Sequence, residues 1–155
     1  MAQHRPKTVI SGSGIAGSVL VFLLSRAYPL ADLTIVERAP SPRLTGASVD
    51  VRNSSVDIVN SMGLGNEIMK HTTRECGVHC VDKYETVAWS LNTSGREDMQ
   101  SVTSEYEIFS GKLAAIFLGP IKGKVEFVFD EVVRSLVQHS DRVYVEFSNG
   151  KKAEA

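Results

Sequence analysis

The chain has 155 residues, 43% of them apolar and 23% charged, and its 17 basic and 18 acidic side chains leave a net charge of −1. That length suits one domain with a sizeable core, and the composition is that of a soluble globular protein. There is no long basic run, which argues against nucleic acid or an anionic membrane as main partner, and two cysteines are too few for a secreted disulfide scaffold.

His4, Arg5 and Lys7 precede an apolar run from Val19 to Leu24, in the manner of a secretory leader. The Ser11-Gly-Ser-Gly14 interruption splits the would-be apolar region of such a leader in two. Even Ile15 to Leu24 is well short of the roughly 20 residues a membrane span needs. A cytoplasmic, soluble protein is expected.

Lys7-Thr-Val-Ile-Ser11 predicts a strand, Gly12-Ser-Gly14-Ile-Ala-Gly17 a glycine-rich turn, Ile15 to Tyr28 a helix, and Leu33-Thr-Ile-Val-Glu37 a second strand. This is the βαβ pattern that holds a dinucleotide. Gly12 allows a sharp turn, Gly14 lets backbone N–H groups approach a pyrophosphate, and Gly17 lets the helix lie close to the sheet. The helix N-terminus offers unpaired N–H donors and partial positive charge. Glu37, twenty residues after Gly17, is placed to accept the hydroxyls of an adenosine ribose. The helix is apolar almost all round, which predicts full burial.

Pro40 and Pro42 make Arg38 to Arg43 a loop. Ala47 to Val51 is extended, and Asn53, Ser54 or Ser55 opens a helix whose buried stripe is Val56, Val59 and Met62, stopped by Gly63. Strands follow at Gly77–Asp82 and Thr86–Leu91, then a polar surface excursion from Asn92 to Gln100. Tyr106 to Phe109 is a strand entering a helix from Gly111 to Leu118, broken at Gly119-Pro120. Lys124–Phe129 is a strand opening a meander, Val132–His139 and Arg142–Phe147 form a hairpin, and Asn149-Gly150 signals a type I′ turn. The chain ends five residues after Gly150, so the meander is expected to be cut while its next strand opens.

Cys76-Gly-Val-His-Cys80, with His71 nearby, has metal-ligand residues but no second cluster to complete a zinc site. Two small buried thiols and a surface histidine are expected, and no metal; a cysteine nucleophile would need a positioned base. Glu105 and Glu107 share one strand face and read as solvated. Trp89 and the scattered tyrosines and phenylalanines are expected to pack. No catalytic residue is assigned.

In this order, the elements resemble the N-terminal part of FAD-dependent monooxygenases of the para-hydroxybenzoate hydroxylase-like, aromatic-ring hydroxylase group. The resemblance rests on Val9-Ile-Ser-Gly-Ser-Gly-Ile-Ala-Gly-Ser18, Val36-Glu-Arg-Ala-Pro40, Arg43-Leu-Thr-Gly-Ala-Ser-Val-Asp-Val-Arg52, Met62-Gly-Leu64, Glu105-Tyr-Glu-Ile108 and the stretch from Val125 to Gly150. It implies an α/β fold: an incomplete Rossmann-like FAD-binding domain, with a βαβ parallel sheet plus an antiparallel β-meander, over residues 1–155. It also implies that Gly12, Ser13, Gly14, Ala16 and Gly17 contact the FAD pyrophosphate, Glu37 the ribose, Arg38 the adenine, and Gly46 to Arg52 the flavin side. Such enzymes use O2 and NAD(P)H, and the flavin carries the chemistry by which a small organic substrate is hydroxylated. This chain departs from the group at Ser110, in place of a flavin-holding arginine, at Asn53, in place of a glycine, and at Ala47, in place of a polar residue. Two later motifs and the substrate domain are absent, so the C-terminal half of the enzyme is expected as a missing partner. Two alternatives stay open: an NAD-binding oxidoreductase domain, or a non-catalytic truncated fragment.

Overall fold

The computed structural model describes residues 5–74, 77–92 and 106–155. It has mixed α/β content with parallel and antiparallel sheets, in two compact units: Met1–Thr45 with Ser110–Ala155, and Gly46–Phe109. His4, Cys76, Glu105 and the polar stretch beyond Asn92 lie outside the described residues. No described helix is long and apolar enough to cross a membrane.

The first unit begins with β1 (Lys7–Ser11), α1 (Ile15–Ala27) and β2 (Asp32–Glu37). The two strands run parallel, with Ile10 opposite Ile35. The Tyr28 N–H closes the last turn of α1 on the Leu24 carbonyl at 2.8 Å, and Pro29, which has no N–H, cannot continue it. Burial of α1 is one-sided, contrary to the all-round pattern. Ser18, Val21 and Phe22 are buried, whereas Leu20 and Leu23 keep 47% and 46% of their surface exposed.

The second unit contains β3 (Ser48–Asp50), α2 (Ser54–Ser61), α3 (Gly65–Met69), β4 (Gly77–Val81), β5 (Val87–Asn92) and β6 (Glu107–Phe109). Antiparallel β3 and β6 place Val49 opposite Ile108, and β4 and β5 form a separate hairpin. Val59 and Met62 are buried as the helical stripe predicts, joined by Leu64, Ile68 and Ile108. The β4–β5 hairpin overturns two expectations. Trp89 is 52% exposed and Tyr84 74% exposed, and Cys80 is only half-buried. Val78, Val81, Val87 and Leu91 of the same hairpin are exposed too, so among the described residues no second layer covers it.

Asn53 precedes α2 at φ 52°, ψ −133°, and its side chain makes no capping hydrogen bond. Only glycine adopts that region without strain. Asn53→Gly should therefore stabilise the fold by about 1 kcal/mol, read as a higher urea midpoint by circular dichroism. An unchanged or lower midpoint would show that the conformation carries no strain.

The chain returns to the first unit through α4 (Ser110–Leu118), a 3₁₀ turn at Gly119–Ile121, β7 (Glu126–Phe129), β8 (Val133–Gln138), β9 (Val143–Phe147) and β10 (Lys152–Glu154). β7 does not open the meander. It pairs parallel with β2, Phe127 opposite Ile35, and completes a sheet of order β1-β2-β7. The antiparallel meander is β8-β9-β10. Its second turn also differs from the predicted type. Gly150 has φ 81°, but Asn149 is not at positive φ. The Gly150 N–H donates to the Phe147 carbonyl at 3.0 Å, and the Phe147 N–H to the Lys151 carbonyl at 2.9 Å. This is a three-residue loop ending in a left-handed glycine, not a two-residue type I′ turn.

Buried Glu131 holds that loop, accepting from the Ser148 hydroxyl, the Val132 N–H at 3.0 Å and the Asn149 N–H at 3.3 Å. The Ser148 hydroxyl first, then the Val132 N–H, keep its carboxyl below the usual range against the opposing effect of burial.

The parallel sheet is covered on both faces, as such sheets require. Val9, Val36 and Val128 share one face and pack against Val133, Val143, Val145 and Phe147 of the meander. On the other face α1 packs against α4, whose Leu113, Ala114, Ile116 and Phe117 are buried.

Candidate functional site

The turn between β1 and α1 is drawn tight by two glycines. Gly12 has φ 100°, and its N–H donates to the Val36 carbonyl at 2.7 Å, tying the turn to the end of β2. A methyl group on residue 17 would lie 2.0 Å from the Gly12 carbonyl oxygen, so only glycine lets α1 come this close. Fully buried Ser18 donates its hydroxyl to the Ser13 carbonyl at 3.0 Å and its N–H to the Gly14 carbonyl at 2.9 Å. Gly17→Ala should thus cost about 1–3 kcal/mol or more, through overpacking against backbone that cannot yield. Urea denaturation of the variant measures it, and a cost below the lower figure would mean that the turn relaxes freely.

Gly14 differs. A methyl group there would meet nothing within 4 Å, and its φ of −67° suits any residue. No side chain caps the first turn of α1, and no acid lies in it. Exposed Ala16 belongs to that turn. The helix N-terminus therefore presents N–H donors and partial positive charge beside open space, a favourable environment for an anion.

Glu37 ends β2 on the α1 side of the sheet and is only 6% exposed. Its Oε2 accepts the Ser13 N–H and the Ser13 hydroxyl, each at 2.8 Å, and its Oε1 accepts the Ala39 N–H at 2.9 Å. Burial pushes the carboxyl pKa up. The Ser13 N–H, the Ala39 N–H, the Ser13 hydroxyl and the charge of Arg43 outweigh it, so Glu37 stays below its ordinary value of 4.5. Since the folded state depresses this pKa, the stability Glu37 contributes is present above pH 4.5 and lost as pH falls through the lower folded value. Glu37→Gln should cost about 1–3 kcal/mol near neutrality, from weakened bonds to the two N–H groups. The difference from wild type should shrink below pH 4.5 in thermal melts. A difference independent of pH would refute the assignment.

Six of the residues marked out by sequence thus share the first unit with Glu37: Gly12, Ser13, Gly14, Ala16, Gly17 and the exposed Arg38. Gly46 and Arg52 belong to the second unit. Gly46 has φ 152°, and half-buried Arg52 pairs with Asp50 at 2.8 Å. The Ser13 hydroxyl bond to Glu37 and the contribution of Ala39 are not foreseen from sequence. A serine inside the glycine turn, with an acid ending the next strand, is the signal that could have suggested the first.

The other candidate groups belong to the second unit. His79 contacts the Ser90 hydroxyl through Nδ1 at 2.7 Å, and Glu107 accepts from the Thr73 hydroxyl at 2.9 Å. Among the described residues no three histidines, cysteines or acids gather as a metal site would require.

No family model matches the chain. Curated relatives do. The FAD-dependent monooxygenase asL4 of Sarocladium schorii is 31% identical over 92% of this chain and 33% of its own length. Monooxygenase CTB7 of Cercospora beticola is 33% identical over 99% of the chain and 37% of its own length. This chain is similar to flavin-dependent monooxygenases. It spans about a third of the length of the curated relatives it matches. Among solved structures, the tetracycline destructase Tet(55) superposes with a TM-score of 0.80 at 28% identity, over 99% of this chain and 37% of that one. The p-nitrophenol 4-monooxygenase PnpA of Pseudomonas putida DLL-E4 shares the fold, with a TM-score of 0.67 at 17% identity over 97% of this chain and 38% of its own.

Proposed function

We propose that this chain is the Rossmann-like, FAD-binding portion of a flavin-dependent monooxygenase of the para-hydroxybenzoate hydroxylase-like group. The observation that carries the reading is the open, uncapped turn over Gly14 beside the buried carboxylate of Glu37. These residues fit an adenine dinucleotide. Gly12 and Ser13, whose own N–H groups are spent on Val36 and Glu37, would shape the turn against the pyrophosphate, and backbone N–H groups from Gly14 to Gly17 would hold it, with Glu37 at the adenosine ribose and Arg38 at the adenine edge. A carboxylate at this place opposes a ribose 2′-phosphate, so the cradle suits FAD or NAD over NADP. The names of the relatives favour FAD between these two. Gly46 and Arg52 would serve the flavin side.

When bound, FAD supplies the redox chemistry with O2 and NAD(P)H, and the chain supplies binding and orientation. On this reading, the choice of small organic substrate and completion of the site belong to the part of the relatives that this chain does not cover.

Gly14→Ala separates the site from the fold, because the added methyl meets no protein atom. FAD should bind the purified chain, read by quenching of flavin fluorescence, and the variant should bind it roughly tenfold or more weakly with an unchanged melting temperature. A folded chain that ignores FAD, or equal affinities for the two proteins, would sink the proposal.

A further inference from the structure

The carboxylate assigned to the ribose is already engaged by its own chain. A carboxylate oxygen offers two lone pairs. Both on Glu37 Oε2 are taken by Ser13, one by its N–H and one by its hydroxyl, each at 2.8 Å. Oε1 accepts the Ala39 N–H at 2.9 Å and keeps one lone pair. A ribose diol brings two O–H donors, and held by both oxygens it would need one lone pair on each. One place is open and one is filled.

The three protein donors are not equivalent. The N–H groups of Ser13 and Ala39 are fixed by the backbone, the first within the turn that Gly12 and Gly17 hold. The Ser13 hydroxyl sits on a rotatable bond and is the only one that can leave without moving the turn. We propose that the Ser13 hydroxyl is an internal competitor for the ribose, filling the Glu37 Oε2 position that a second ribose hydroxyl needs and rotating away when the diol binds. Ser13 is therefore a positioning residue acting through Glu37, and it lowers the benefit the chain draws from a complete diol. The inference rests on reading the cradle as an adenine-dinucleotide site.

The test is calorimetric titration of the full chain and of Ser13→Ala with ADP, 2′-deoxy-ADP and 3′-deoxy-ADP. Alanine leaves the Oε2 position open, so ADP should bind the variant roughly three- to tenfold more tightly, the net scale of one hydrogen bond. Removing one of the two ribose hydroxyls should cost the variant correspondingly more than it costs wild type. A general change in folding would weaken all three nucleotides alike and leave their ratios unmoved. Ser13→Thr retains a hydroxyl and should keep the wild-type ratios. Equal ratios in wild type and Ser13→Ala, or threonine behaving as alanine, would overturn this inference while leaving the nucleotide site standing. Absence of ADP binding to either folded protein would overturn the site and the inference together.

Discussion

A buried carboxylate has to be satisfied by hydrogen bonds, and the first unit is arranged around meeting that demand at Glu37. The donors come from both sides of the acid in sequence: Ser13 in the turn before α1, and Ala39 immediately after β2. The backbone of the same region makes further ties. Gly12 donates to the Val36 carbonyl, and the Glu131 N–H donates to the Glu37 carbonyl at 3.2 Å. The end of β2 is thus where the turn, the following loop and the chain after β7 all meet. Position and charge of the acid are set by the same bonds.

Glu131 shows that a buried acid need not face a ligand. It is 4% exposed and satisfied by the 148–149 loop and by its neighbour's N–H, so its role is to fasten the meander. Glu37 differs in standing beside a helix terminus with open space over Gly14. The surroundings of each carboxylate, more than its burial, separate the structural acid from the candidate binding acid.

Much of the first unit is readable in the amino-acid sequence, because glycine and proline have few alternative uses in such a pattern. The Gly12–Gly17 spacing, the stop at Pro29 and the acid ending β2 all find a structural reason. What alternation could not convey was direction. Lys124 to Phe129 has the same alternation whether its partner runs parallel or antiparallel, so the pattern alone points to the meander, whereas β7 belongs beside β2. Asn149-Gly150 favours a two-residue turn locally, yet Glu131 binds Ser148 and Asn149 and a three-residue loop results. Trp89 and Tyr84 show a further limit. An aromatic side chain packs only where another layer meets its face, and none of the described residues forms such a layer over the β4–β5 hairpin. In the site, a hydroxyl turned inward onto an acid depends on a rotamer that the motif does not specify.

The parallel pairing of β2 with β7 has a consequence for how the chain reaches its fold. Ile35 meets Phe127 only after residues 38–125 have been made, and the whole second unit lies within that interval. β1 and β2, by contrast, are joined by a short helical crossover. Closing the long interval carries an entropic cost before any contact across it is gained, and such pairings form slowly. During synthesis the β1-α1-β2 segment emerges first and waits with the outer edge of β2 unpaired, a surface on which another extended chain can add. The strand that ends in Glu37 is therefore an open edge of the nascent chain until β7 arrives and makes it the central strand of the sheet.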